Sequence, residues 1–149
     1  MVPTTVPGWD GRVSEHVPAR GPLATAWLLR LALTLTALSA VAQPVLIGGY
    51  LDGGFDLLAW HAGNANLMLA LVMLTGATAL LYVWPGGGRP WPVLALGALW
   101  FAAGVQIGMG YLRVLAVHVP LGVTVVAAAV GLAVWSWTPS ARRRRVGWW

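Results

Sequence analysis

The chain has 149 residues, of which 58% are hydrophobic and only 9% charged, with a formal net charge of +5 and a mean hydropathy of +0.74. Soluble domains carry roughly 25% charged residues, so this composition excludes a water-soluble fold and implies a membrane protein. Cysteine and lysine are absent and all nine basic residues are arginine. That excludes disulfides, thiolate metal sites and thioether-attached haem. The arginines flank apolar runs instead of lining a polar face, so the positive charge reads as membrane orientation and not as nucleic-acid binding.

Residues 1–22 are polar and rich in Pro and Gly and are expected to form a disordered cytoplasmic tail. Residues 23–137 hold four apolar segments, predicted as helices over about 23–47, 57–84, 91–109 and 114–137. Each has about the 20 residues needed to cross a hydrocarbon layer of roughly 30 Å. Residues 138–149 form a basic tail. The connections GGYLDGGFD, PGGGRP and GYLR are short, which makes successive helices antiparallel neighbours. The expected fold is all-α: an integral membrane antiparallel four-helix bundle. The segment ALSAVAQP has the look of a signal-peptidase site after Ala42. The long preceding tail, Arg30 within the apolar run, and the place of Gln43 in a repeat argue against cleavage.

Arg12, Arg20, Arg30, Arg89 and Arg142–Arg145 all fall on one side, and only Arg113 falls on the other, with Asp52 and Asp56. This bias predicts a multi-pass protein of the plasma (inner) membrane with both termini cytoplasmic. Trp27, Trp84, Trp91, Trp135 and Trp137 then mark the inner interface, and Trp60, Tyr50 and Tyr111 the outer one. The Arg142–Arg145 run marks topology and contacts anionic lipid.

The two halves repeat. The first reads Gln43…Gly49-Tyr50-Leu51…Leu58-Ala59-Trp60-His61 and the second Gln106…Gly110-Tyr111-Leu112…Leu115-Ala116-Val117-His118. Each half begins and ends on the same side, so the two-helix repeats are parallel, related by an axis along the membrane normal. That symmetry sets His61 and His118 at one depth near the outer face, on helices diagonal to each other.

Ionisable side chains inside a bilayer are costly and face the bundle interior. A lone one is most simply an interhelical hydrogen bond, but a pair at matching positions suits axial ligation of haem iron in an apolar slot. Zinc wants three or four protein ligands, and no third histidine or carboxylate falls at this depth; His16 is in the tail. Gly63, Ala65 and Gly122 follow the histidines at short spacing, and either let a flat ring approach or let helices pack closely. Gly48, Gly49, Gly108 and Gly110 are expected to serve the turns. Arg113 either pairs with a haem propionate or snorkels and pairs with Asp52 or Asp56. Gln43 and Gln106 are candidates to bond to propionates, to a quinol, or to each other, and Asn64 and Asn66 to make interhelical hydrogen bonds.

With Gln- and Gly-bearing outward helices and one histidine near the outer end of the second and fourth, residues 25–137 resemble one four-helix half of haem A synthase. The resemblance implies a bis-histidine haem site towards the outer face, with His61 and His118 as the ligand pair. The family's substrate-converting half has a glutamate where this chain has Leu58. An arginine often follows its first histidine, where this chain has Ala62, and many members carry a cysteine pair that is missing here. The resemblance therefore speaks for haem binding more than for oxidation of a haem methyl group.

Three functions follow, in order. The first is a single b-type haem passing electrons to or from a quinol or redox protein. The second is haem handling or oxidase assembly, including a half-size haem A synthase-like homo-oligomer. The third is a cofactor-free accessory subunit. No catalytic carboxylate or nucleophile lies within the membrane, which leans against an enzyme. The expected partners are the lipid membrane, a quinol or a redox protein, and a second copy in the oligomer, with no nucleic acid.

Overall fold

The computed structural model describes residues 23–142. Four helices follow one another: α1 Leu23–Leu51, α2 Leu57–Val83, α3 Trp91–Tyr111 and α4 Leu115–Trp137, and a short 3-10 turn closes the chain at Pro139–Arg142. At 1.5 Å per residue the helices are about 32–44 Å long, and all four are apolar enough to cross a membrane. The expected N-terminal tail, residues 1–22, lies outside the described residues, as do residues 143–149.

α1 packs on α2 and α4, and α3 packs on the same two helices. The bundle is thus a square with α2 and α4 on one diagonal. Both hairpins start at the end that carries Arg30, Arg89 and Arg142, the arginine end, and turn at the end that carries the histidines. The chain is therefore the expected antiparallel bundle built from two parallel repeats.

Its core is narrow. Leu29, Leu33, Ala37 and Ala40 of α1 meet Met68, Val72 and Ala79 of α2, Leu96, Leu99 and Ala103 of α3, and Val125, Ala129, Leu132 and Ala133 of α4. Alanines at these contacts let backbones approach, as is usual between membrane helices. On the outside, Leu28, Leu31, Leu35 and Leu38 are 48–63% exposed along one helix. Apolar surface this continuous suits contact with lipid and not with water.

The α1–α2 pair is further joined by polar rungs. Thr36 and Thr75 hydroxyls bond at 2.9 Å, and Asn64 both accepts from Ser39 Oγ at 2.9 Å and donates to the Ser39 carbonyl at 2.8 Å. Asn64 is the interhelical bond expected of it. Asn66 is not, because it is exposed and donates to Ala62 of its own helix.

Three boundaries differ from expectation. α1 continues through Gly48 and Gly49 to Leu51, and the turn is made instead by Gly53 at φ +100°, a left-handed backbone that suits glycine. Gly108 and Gly110 are likewise inside α3, which runs to Tyr111. Of these glycines only Gly49 and Gly110 face close neighbours, Leu57 and His118, and a Cβ on Gly48 or Gly108 would meet nothing within 4 Å. Residues 139–142 are not a free tail: Ala141 is buried and its carbonyl accepts from Tyr82 Oη at 2.7 Å.

At the arginine end Arg30 is only 3% exposed. Its Nε donates to the Ser136 carbonyl at 2.8 Å, and its guanidinium lies 5.1 Å from the Trp27 ring and 5.4 Å from the Trp137 ring. The cation faces the last carbonyls of α4, where the helix dipole is negative. Trp27, Trp137, Trp91 and Trp135 gather here in two edge-on pairs.

Candidate functional site

His61 lies in the second turn of α2 and His118 in the first turn of α4. Those helices are diagonal, yet the two rings meet across the bundle with centroids 6.3 Å apart and planes at 66°. They stand at one end of a cavity of about 680 Å³. Gln43, Ala65, Gln106 and Gly122 complete that end. Met68, Ala103, Val125, Val126, Val130 and Gly131 line the remainder with hydrocarbon. From His118 to Gly131 the α4 wall rises about 20 Å at the helical rise per residue.

Each histidine is held by the glutamine of its own half. His118 Nδ1–H donates to the Gln106 backbone carbonyl at 2.7 Å, and the Gln106 amide nitrogen lies 3.3 Å from His118 Nε2. His61 Nδ1 lies 3.2 Å from the Gln43 carbonyl oxygen. The Gln43 side-chain amide also reaches it, with its nitrogen 2.8 Å from His61 Nδ1 and its oxygen accepting from the Ala65 backbone N–H at 2.8 Å. The glutamines bond to histidines, not to each other across the repeat axis.

Glycine controls the second copy. A Cβ on Gly110 would fall 2.7 Å from His118 Cε1, so the imidazole is seated directly on the α3 backbone. A Cβ on Gly122 would fall 3.1 Å from Gln106 Nε2, so the glutamine lies over that glycine. The use of Gly110 was hidden in the sequence, where glycine near a helix end signals a turn. Its position eight residues before His118, across a tight hairpin, is the only hint.

Two expected site residues are not brought to the cavity. Gly63 follows His61 by two residues, which on a helix turns it about 200° away. It lines a separate, shallow groove with Leu46, Trp60, Asn64 and Leu67. Ala65 and Gly122, each four residues after a histidine, share the histidine's face as that spacing requires. Arg113 is exposed in the turn between α3 and α4 with φ 57°, and is not among the cavity-lining residues.

The donor set bears on what the cavity can hold. Among the described residues no group of three or more His, Cys, Asp or Glu side chains converges, and closed zinc sites need four ligands. The two imidazoles stand in an edge-on contact with centroids 6.3 Å apart, and a pair of facing imidazoles is a donor set that suits haem iron. A ligating histidine typically gives its other N–H to a carbonyl or carboxylate, as His118 does. Cofactor pockets run to about 300–1,000 Å³ with few polar groups, and this cavity falls in that range. The residues therefore fit a haem.

Comparison of the chain with protein-family models, with curated proteins and with solved structures gives no match.

Proposed function

We propose that this protein is a membrane b-type haem protein whose single haem is held between His61 and His118 and serves one-electron transfer. The observation that carries the reading is the pair of diagonal imidazoles, 6.3 Å apart, at the polar end of an otherwise apolar cofactor-sized cavity. Haem held by His61 and His118 would supply a ferric/ferrous couple suited to one-electron transfer. The chain's own part is to orient the rings through the Gln43 and Gln106 carbonyls and to keep water from the site with valine and alanine walls. The arginine bias supports cytoplasmic termini, with the haem towards the opposite, extracytoplasmic face of the plasma membrane. A quinol in the bilayer or a redox protein outside it is then the electron partner.

The haem A synthase resemblance supports a second reading, haem handling by a half-size homo-oligomer. Leu58 stands where that chemistry needs a carboxylate, so electron transfer is preferred. In the third reading the histidines only pack, and the cavity has no resident group.

The test is a reduced-minus-oxidised visible spectrum with pyridine haemochrome quantification, on protein produced with ample haem and purified in detergent. One haem b per chain with a sharp α band is expected. Folded protein with no Soret band overturns both haem readings.

A further inference from the structure

We propose that Gln43 is a positioning residue that sets the tautomer of His61, so that His118 is the standing ligand and His61 engages only after the Gln43 amide has turned away. The proposal rests on the haem reading for its purpose, but its first test does not need haem.

A neutral imidazole carries one N–H, and each ring nitrogen either donates or accepts. For His118 the assignment is already the one ligation needs. Nδ1–H donates to the Gln106 carbonyl at 2.7 Å, Nε2 keeps its lone pair, and the Gln106 amide donates into it at 3.3 Å. A metal ion has only to displace one weak hydrogen bond.

For His61 the assignment is reversed. The Gln43 amide nitrogen is 2.8 Å from Nδ1 and 3.2 Å from the His61 carbonyl, while the amide oxygen accepts from Ala65 N–H. This orientation pairs all three amide contacts, and it leaves the Gln43 backbone carbonyl, 3.2 Å from Nδ1, without an imidazole donor. The opposite one sets the amide oxygen against a carbonyl oxygen and the amide NH₂ against a backbone N–H. Nδ1 is then an acceptor, and the ring proton resides on Nε2, which cannot ligate. To ligate, the proton must pass from Nε2 to Nδ1, the amide nitrogen must leave, and the Gln43 backbone carbonyl at 3.2 Å must take the new N–H. The ring is neutral before and after, so no net proton is taken up.

One methyl group separates the two copies. Four residues after each histidine stands Gly122 in α4 and Ala65 in α2. Gln106 lies across Gly122 to reach Nε2, and a Cβ there would crowd its amide at 3.1 Å. Ala65 carries that Cβ, and Gln43 reaches Nδ1 instead.

The experiment is nitrogen-15 NMR of the full-length, haem-free protein labelled at histidine, in detergent, at a pH about two units above the ordinary imidazole pKa of roughly 6.5. Peaks are assigned by single His→Ala variants. His118 is expected protonated at Nδ1 and His61 at Nε2. Gln43→Met should move the His61 proton to Nδ1 and leave His118 unchanged, and Ala65→Gly, which needs little repacking, should shift His61 partly the same way. Haem titration should then show Gln43→Met binding about 2–13-fold tighter, the range expected from removing one net hydrogen bond of about 0.5–1.5 kcal/mol. Wild-type His61 protonated at Nδ1, or both variants leaving its tautomer unchanged, overturns the proposal. If the tautomers are as expected but the wild type takes up no haem, the haem reading fails and the role of Gln43 stands.

Discussion

The two hairpins share one plan and use it differently. In α1–α2 the helices are joined below the histidine by polar rungs, Ser39–Asn64 and Thr36–Thr75. In α3–α4 the corresponding positions, counted from Gln106 and His118, are Ala102, Leu121, Leu99 and Leu132, with no hydrogen-bonding side chain among them. The first hairpin is zipped; the second is free to stand off, and it supplies more of the hydrocarbon walls of the cavity. The glycines follow suit. A Cβ on Gly49 would meet only the movable Leu57 Cδ1, whereas a Cβ on its counterpart Gly110 would strike the His118 ring. One copy has specialised in holding the bundle together and the other in presenting a ligand.

Substitutions at matched positions test that division, starting with the ligands. His118→Ala should lower haem affinity by at least ~100-fold, more than the 10–100-fold typical of residues that only orient a ligand. His61→Ala should retain weaker binding with loss of the sharp low-spin spectrum. Equal losses in the two variants would erase the distinction between standing and engaged ligand.

Next come the glycines. Gly110→Ala should cut haem occupancy several-fold although alanine is worth about 1 kcal/mol in helix propensity over glycine. Gly49→Ala should leave occupancy within twofold, since the leucine tip can move. Haemochrome quantification and thermal unfolding of the same samples separate the two effects.

The rungs come third. Asn64→Leu should destabilise the detergent-solubilised protein by about 0.6–1.7 kcal/mol, the range for hydrogen bonds between membrane helices. Leu121→Ala, its counterpart, should act through packing alone and leave α1–α2 association unchanged in a hairpin crosslinking assay. The smallest effect on haem belongs to Gly63→Ala: the added Cβ meets nothing within 4 Å, so haem content should not change and stability should rise by at most about 1 kcal/mol through helix propensity.

Much of the architecture was legible because membrane helices declare themselves by length and apolarity, and because a duplicated motif implies a duplicated position. His61, His118, Gln43, Gln106, Ala65 and Gly122 come together for that reason. Gly63 was misplaced by counting nearness along the chain instead of around the helix. Arg113 was drawn in by charge, yet nothing in the turn carries it towards the cavity. The carbonyl contacts of the glutamines were out of reach, since a backbone acceptor has no signature in residue identity. The hairpin glycines misled because glycine marks turns and close packing alike.

Arg30 has a consequence for how the molecule is made. Its acceptor, Ser136, and one of its two tryptophans, Trp137, lie more than a hundred residues downstream. During synthesis α1 enters the bilayer long before either exists, with an unsatisfied cation that costs up to about 2.5–3.5 kcal/mol at a helix centre and less near its end. Arrival of α4 relieves that cost. A chain truncated before α4 therefore keeps Arg30 without its Ser136 acceptor and without the Trp137 ring.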